Sequence, residues 1–370
     1  MTTLKTYPFF IKATVSLLGL VLCAHILGAL GSILVPFFIS GLIAVLLNPL
    51  TSWLEKRIPR LPAVLISLVL ALAVFGTLLY FLSTQIATFT EMMPAIKLKF
   101  FYLITELQHW INATFGVSMD KQMAMMKQTL QGSQALVGST LNRIISTVGV
   151  VFLMPIYLYL LLFYKPLILD FLFRVFSEKN SLRVAEILSE TKHAIQAYII
   201  GLLIETTIVA TLNCLALLVL GVPNALLIGI IGGILNMLPY IGGLVAIALP
   251  VLMATVVKDG YTTQLAVVGL YLLIQFIDNN ILVPRIISSK VQINALISIL
   301  VVLMGGLLWG IGGMFLSIPF VAVLKIIFDR VDGLKPWGVL MGTTVPIEHS
   351  GVKWQNRWDR IFRRIHRDDN

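Results

Sequence analysis

The feature that most constrains this chain is an apolar run, Ala225 to Val257, that is too long to be one membrane helix. About 33 residues at 1.5 Å each would make a helix of roughly 50 Å, whereas the hydrocarbon core of a bilayer is about 30 Å thick. The run carries its own break, Asn236-Met237-Leu238-Pro239-Tyr240-Ile241-Gly242-Gly243. Pro239 lacks a backbone donor, and Gly242 and Gly243 permit backbone conformations that a helix excludes. Unwound backbone at membrane depth persists only where protein or a water-filled cavity satisfies it. The octet is therefore the first candidate for a binding site.

The pattern recurs seventy residues later. Asn224-Ala225-Leu226 matches Asn294-Ala295-Leu296, Ile241-Gly242-Gly243 matches Ile311-Gly312-Gly313, and Pro250 falls one position from register with Pro319. Each unit is one ordinary apolar span (Ile199 to Leu220; Leu265 to Val283) followed by one over-long, Gly/Pro-broken span (Ala225 to Val257; Ile293 to Phe328). An internal repeat of interrupted segments is the sequence pointer to a transporter's site.

Composition settles the class. With 58% hydrophobic and only 12% charged residues, against roughly 25% charged in a soluble domain, the chain reads as an all-α, polytopic membrane protein. The net charge of +10 is concentrated beside the spans and in the tail, which fits the positive-inside rule rather than nucleic-acid binding. Cys23 and Cys214 both fall in apolar spans, so no disulfide framework or Cys-based metal site is expected.

Along the chain, residues 1–82 read as N-terminal transmembrane helices acting as a scaffold, with Ala13 to Leu30 kept as a helix rather than a cleaved signal. Residues 83–143 form an external amphipathic insertion, and 144–198 a fourth span with a cytoplasmic amphipathic segment. Residues 199–260 and 261–330 are the two repeat units, and 331–370 a basic cytoplasmic tail. Charge counting puts both termini in the cytoplasm. The broken spans are either single crossings, giving about eight spans, or re-entrant hairpins. The hairpin reading brings Arg285 and Lys290 inside, moves only Lys258 out, and makes the two units an inverted repeat. The charge rule favours it.

Few residues could carry chemistry. Ionisable groups inside apolar spans default to functional candidates, because each costs about 2.5 to 3.5 kcal/mol to insert. Glu205 and Asp278 qualify, as ion- or proton-coupling residues, and Gln275 stands seventy residues from Glu205 at the matched position. Asp278, Asn279 and Asn280 supply donors and acceptors suited to a small polar solute, with Pro284 and Arg285 as structural neighbours. The expected site is built from Asn236, Pro239, Tyr240, Gly242, Gly243, Asp278, Asn279, Asn280, Gly312 and Gly313, with the two broken tips, Asn236 to Gly243 and Gly305 to Gly313, meeting near mid-membrane and Pro319 structural. A lone His25 reads as packing. The usual signatures of enzymes and of ATP binding are missing from the sequence, as are clustered metal ligands, so neither an enzyme nor a cofactor nor a metal is expected.

Asn236-x-x-Pro239-Tyr240-Ile241-Gly242-Gly243, Asp278-Asn279-Asn280-x-x-x-Pro284-Arg285-Ile286 and Gly310-Ile311-Gly312-Gly313-Met314-Phe315-Leu316-Ser317-Ile318-Pro319 resemble the autoinducer-2 exporter family, the PerM-like permeases of bacteria. The match covers roughly Ile199 to Asp329; the first 198 residues agree in span layout more than in motif. The resemblance implies a multi-pass protein of the bacterial inner membrane that assembles as a homo-oligomer. It also implies export of a small polar signalling metabolite such as autoinducer-2, or in some members sodium/proton exchange. A membrane scaffold that transports nothing is the third reading.

Overall fold

The computed structural model describes residues 8–91, 93–116, 152–175, 181–238, 242–258, 260–288 and 292–343. Expectations that fall on residues 117–151, on Pro239, Tyr240 and Lys290, and on the basic tail beyond residue 343 lie outside the described residues. The described chain is helical, with no strand. Its elements are α1 (Phe9–Ala29), α2 (Gly31–Glu55), α3 (Arg60–Glu91), α4 (Met93–Phe115), α5 (Phe152–Phe163), α6 (Lys165–Val175), α7 (Ser181–Val219), α8 (Ala225–Asn236), α9 (Gly242–Val257), α10 (Thr262–Ile277), a π-helical extension of α10 (Asp278–Ser288), α11 (Ala295–Arg330) and α12 (Lys335–Met341). By length and apolarity six helices can cross a membrane, or seven if α5 and α6, bent by 61°, count as one span. This is a multi-pass membrane protein.

The run from Ala225 to Val257 is broken where Pro239 and the glycines predict, between α8 and α9. Neither half is long enough to cross alone: α8 has 12 residues and α9 has 16, about 18 and 24 Å of helix. The two pack antiparallel. A side chain on Gly221, before α8, would meet Lys258 after α9 at 3.7 Å; Ala225 and Ile228 share a buried cluster with Met253 and Ala254; and a Cβ on Gly232 would lie 3.6 Å from that of Ala246. Pairing of early α8 with late α9 is the geometry of a re-entrant hairpin.

The second long run folds the same way. Trp309 (φ −134°, ψ 18°) and Gly310 (φ 60°, ψ −141°) leave helical geometry inside α11. The Ser317 hydroxyl donates to Val301 O at 2.8 Å, two groups about 24 Å apart had α11 been straight. A Cβ on Gly305 would sit 2.5 Å from Gly313 O, so the arms touch backbone to backbone. Only glycine allows that approach. By composition alone α11 counts among the six crossing helices, but this geometry makes it a second hairpin.

Contacts sort the elements into two ends. At one, Arg60 donates to the carbonyls of Leu162 and Phe163, Lys165 Nζ bonds Asn48 Oδ1 at 2.6 Å, and Arg330 pairs with Glu186 and Glu190 on the first turns of α7. At the other, α4 packs against α9 near Lys258. The tip of the α11 hairpin is pinned to the α1–α2 turn, where Trp309 Nε1 donates to Leu27 O at 2.8 Å and the indole lies against Gly31.

Candidate functional site

The tip of the first hairpin is where buried polar groups converge. Asn236 is the last residue of α8, so its side chain leaves the helix where the backbone unwinds. One amide nitrogen donates twice, to Glu205 Oε1 of α7 at 2.7 Å and to Asp278 Oδ2 at 2.8 Å. Its carbonyl oxygen accepts from Gln275 Nε2 of α10 at 2.7 Å. Thr206 Oγ1 reaches the other Glu205 oxygen at 3.5 Å. Glu205 is 2% and Asp278 3% exposed, and the two carboxyl groups share the one Asn236 nitrogen as donor. One amide thus bridges two acids from two different crossing elements.

Glycines set this geometry from below and behind. A Cβ on Gly243 would lie 2.6 Å from Gln275 Oε1, so the first turn of α9 makes room for that amide. A Cβ on Gly242 would overlap the Leu235 carbonyl, which makes the tight reversal after α8 a glycine position. Gly201, one turn before Glu205 on α7, lets α7 approach the π-helical segment, where a Cβ would come 2.9 Å from Ile286 O. That segment begins at Asp278 and contains Pro284, which has no N–H to give a regular helix. Its wider turns sit where single π turns are often found, beside functional groups.

The structure brings together Asn236, Gly243, Glu205 and Asp278, and adds Gln275 and Thr206 to them. It places the remaining candidates elsewhere. Asn279 and Asn280 are exposed, and Asn280 Nδ2 bonds back to Phe276 O at 2.8 Å. Gly312 faces Val35 of α2 and Gly313 the Gly305 backbone, so the close neighbours of the second tip are not the acidic cluster. Pro284 and Arg285 are exposed on the π-helical segment, and Pro319 is buried in the returning arm of α11. Gln275 was visible in sequence only as the repeat partner of Glu205, and Thr206 carried no signal at all.

Chemically, the cluster can take up or release a proton or a cation at its carboxyls, and can offer amide groups to a polar solute. Because α7, α8 and α10 each contribute, moving the hairpin would make or break it. Among the described residues no group of three or more potential metal ligands is present.

A family model described as AI-2E family transporter matches residues 14–333. The chain is 27% identical over 331 residues to the AI-2 transport protein TqsA of Escherichia coli (strain K12), covering 88% of this chain and 93% of that one. It is 27% identical over 307 residues to YrrI of Bacillus subtilis (strain 168), with 80% and 85% covered, and 27% identical over 316 residues to YueF of the same organism, with 80% and 83% covered. The names of the two Bacillus proteins give transport as a provisional role.

Proposed function

This chain belongs to the AI-2E transporter family, and we propose that it exports a small polar metabolite, of the kind represented by autoinducer-2, with Glu205 and Asp278 coupling the movement to protons. That it is a membrane transporter follows from the family. The choice of solute draws on the name of one relative, an AI-2 transport protein. The observation that carries the coupling is the Asn236 amide bridging two buried acids at a hairpin tip.

A proton entering the acidic pair changes its charge by one unit in a low-dielectric interior, where such a change is worth far more than in water. The state with the charge must be held by amide donors; the state without it can release them. Asn236 answers to both, and it belongs to the hairpin, so protonation and hairpin position are linked through one side chain. The solute would be met by the Gln275 and Asn236 amides and by the unwound backbone after α8, as at the interrupted helices of other secondary transporters. No ATP-binding motif stands in the sequence, so the gradient supplies the work. In this reading the protein sits in the bacterial inner membrane with both termini cytoplasmic, works as a homo-oligomer and catalyses no chemical change.

Reconstituted liposomes test it. Glu205→Gln and Asp278→Asn keep shape and remove the charge. Both should abolish uphill accumulation while leaving downhill flux of a neutral solute within about threefold. Uphill transport unchanged in both variants would refute the coupling role. Cation-driven dissipation of a pH gradient without solute flux would replace this reading with cation/proton exchange.

A further inference from the structure

Five buried side-chain polar atoms have no hydrogen-bond partner among the described residues, and four of them lie on α7 and on α10 with its π-helical extension: Asn213 Oδ1, Gln264 Oε1, Tyr271 Oη and Asp278 Oδ1. Leaving such atoms dry costs about 1–3 kcal/mol each. A random scatter of packing defects would not gather on two neighbouring helices. On α10 and its extension the inward-facing polar residues include Gln264, Tyr271 and Asp278, all buried, and half-buried Gln275, at spacings of seven, four and three that keep them on one stripe.

The stripe has three levels. At the outer one, Gln264 donates its amide to Ala254 O (3.3 Å) and Lys258 O (3.4 Å), while its oxygen is the unpartnered atom. The same residue lines a cavity of about 710 Å³ opening between α4 and the α9–α10 turn, which also holds Lys99, Glu106 and Lys258. At the middle level Tyr271 packs with Leu217, Ile228 and Met253. Asn213 lies one turn before Leu217 on α7, against Gly232, where a Cβ would come 3.1 Å from its amide nitrogen. At the inner level Gln275 meets Gly243 and Asn236, and Asp278 follows with its free oxygen.

We propose that this stripe is a hydrated proton route joining the Glu205–Asp278 pair to the cavity under α4, with water held at Gln264, Asn213 and Tyr271. It rests on the coupling role given to the two acids. The phenol of Tyr271 can accept a hydrogen bond from one water while donating to the next, and Asn213 and Gln264 offer acceptor oxygens to water that bridges them. The step is a proton transfer only: one O–H bond breaks as the next forms, and the carboxyl gains or loses one proton. Among the described residues the titratable groups facing the route are Glu205, Asp278, Tyr198, Cys214 and Tyr271 inside, and Lys99, Tyr102, Glu106, Lys258 and Tyr261 at its mouth.

Two measurements on the full chain test it. Hydroxyl-radical labelling by X-ray radiolysis reports water next to a side chain. Tyr271 should be oxidised within about tenfold of the rate of exposed Tyr261, while Leu158 and Leu162, buried in a separate apolar cluster, stay unmodified. In liposomes Tyr271→Phe keeps the ring and should slow coupled proton movement at least fivefold, enlarge its solvent deuterium effect, and leave solute affinity unchanged. A dry Tyr271 overturns the route whatever the flux. A hydrated Tyr271 with wild-type proton flux in Tyr271→Phe makes the water structural, and also overturns it. If instead Glu205→Gln and Asp278→Asn retain coupling, the role of the acids fails and the route loses its inner end with it. That outcome is separate from a slow Tyr271→Phe, because only the former leaves uphill transport intact without the carboxyls.

Discussion

Asn236 is the residue on which the site depends. Its amide satisfies two acids and one glutamine at once, so Asn236→Ala leaves three buried polar groups short of a partner. At about 1–3 kcal/mol for each group left unsatisfied, a large fall in melting temperature is expected, and flux should fall more than tenfold beyond the loss of folded protein. Flux that only follows the amount of folded protein would reduce the cluster to architecture. Asn280→Ala is the matched comparison. Its amide is exposed and bonds within its own helix, so stability should change by less than about 0.5 kcal/mol and transport should persist. The contrast shows what the sequence made legible. Glu205 and Asp278 stand out because a charge in an apolar span is rare, and Asn236 because it precedes a break. Neighbours in sequence point to different faces of a helix, however, so adjacency to Asp278 could not say that Asn279 and Asn280 turn outward. Asn213 and Tyr271 look like ordinary span residues, and Gln275 stands out only by its register with Glu205, until it is known which helices pack together.

At the scale of elements, both breaks are readable from length against bilayer thickness, while only the charge rule favours hairpins over single crossings; the break in α11 lies at Trp309–Gly310, inside the expected Gly305 to Gly313 stretch. What length could not give was the docking of each tip. The first tip carries polar groups and meets α7 and α10; the second carries Trp309, whose indole needs a partner for its N–H and finds it at Leu27 O. Similar repeats thus have dissimilar ends, one chemical and one mechanical. The second hairpin should be intolerant of added volume where its arms touch. Gly313→Ala puts a Cβ onto the Gly305 carbonyl and 3.0 Å from the Trp309 Cβ, a clash that only separation of the arms relieves. It should cost at least about 2 kcal/mol and cut the yield of monodisperse protein severely. Gly269→Ala, in α10 with nothing within 4 Å of the new methyl, should be neutral or raise the melting temperature through better helix propensity. Equal behaviour of the two variants in a thermal-shift assay would contradict the packed-hairpin geometry.

For the whole molecule, two re-entrant hairpins change the side on which charged residues emerge, and that is the most direct check on the architecture. Single crossings would put Lys258 and the first turns of α7 at the same end. The hairpins put Lys258 beside α4, and Arg330 beside Glu186 and Glu190 at the opposite end. Two cavities among the described residues divide accordingly. The one with Lys99, Glu106 and Lys258 opens at the α4 end; the other, of about 500 Å³ with Glu190, His193, Lys325 and Asp329, opens at the basic end. Cys23 is exposed on α1 and Cys214 buried, so both are first replaced by serine. Single cysteines at Glu106 and Lys258 should then react with a membrane-impermeant maleimide from the outside of intact cells. Cysteines at His193 and Lys325 should react only after the cells are opened, if the surplus of Arg and Lys sets the proposed orientation with that end in the cytoplasm. Reaction of the Lys258 position together with the His193 position, from one side, would mean that the Ala225 to Val257 run crosses the membrane, and the inverted arrangement of the two units would fall with it.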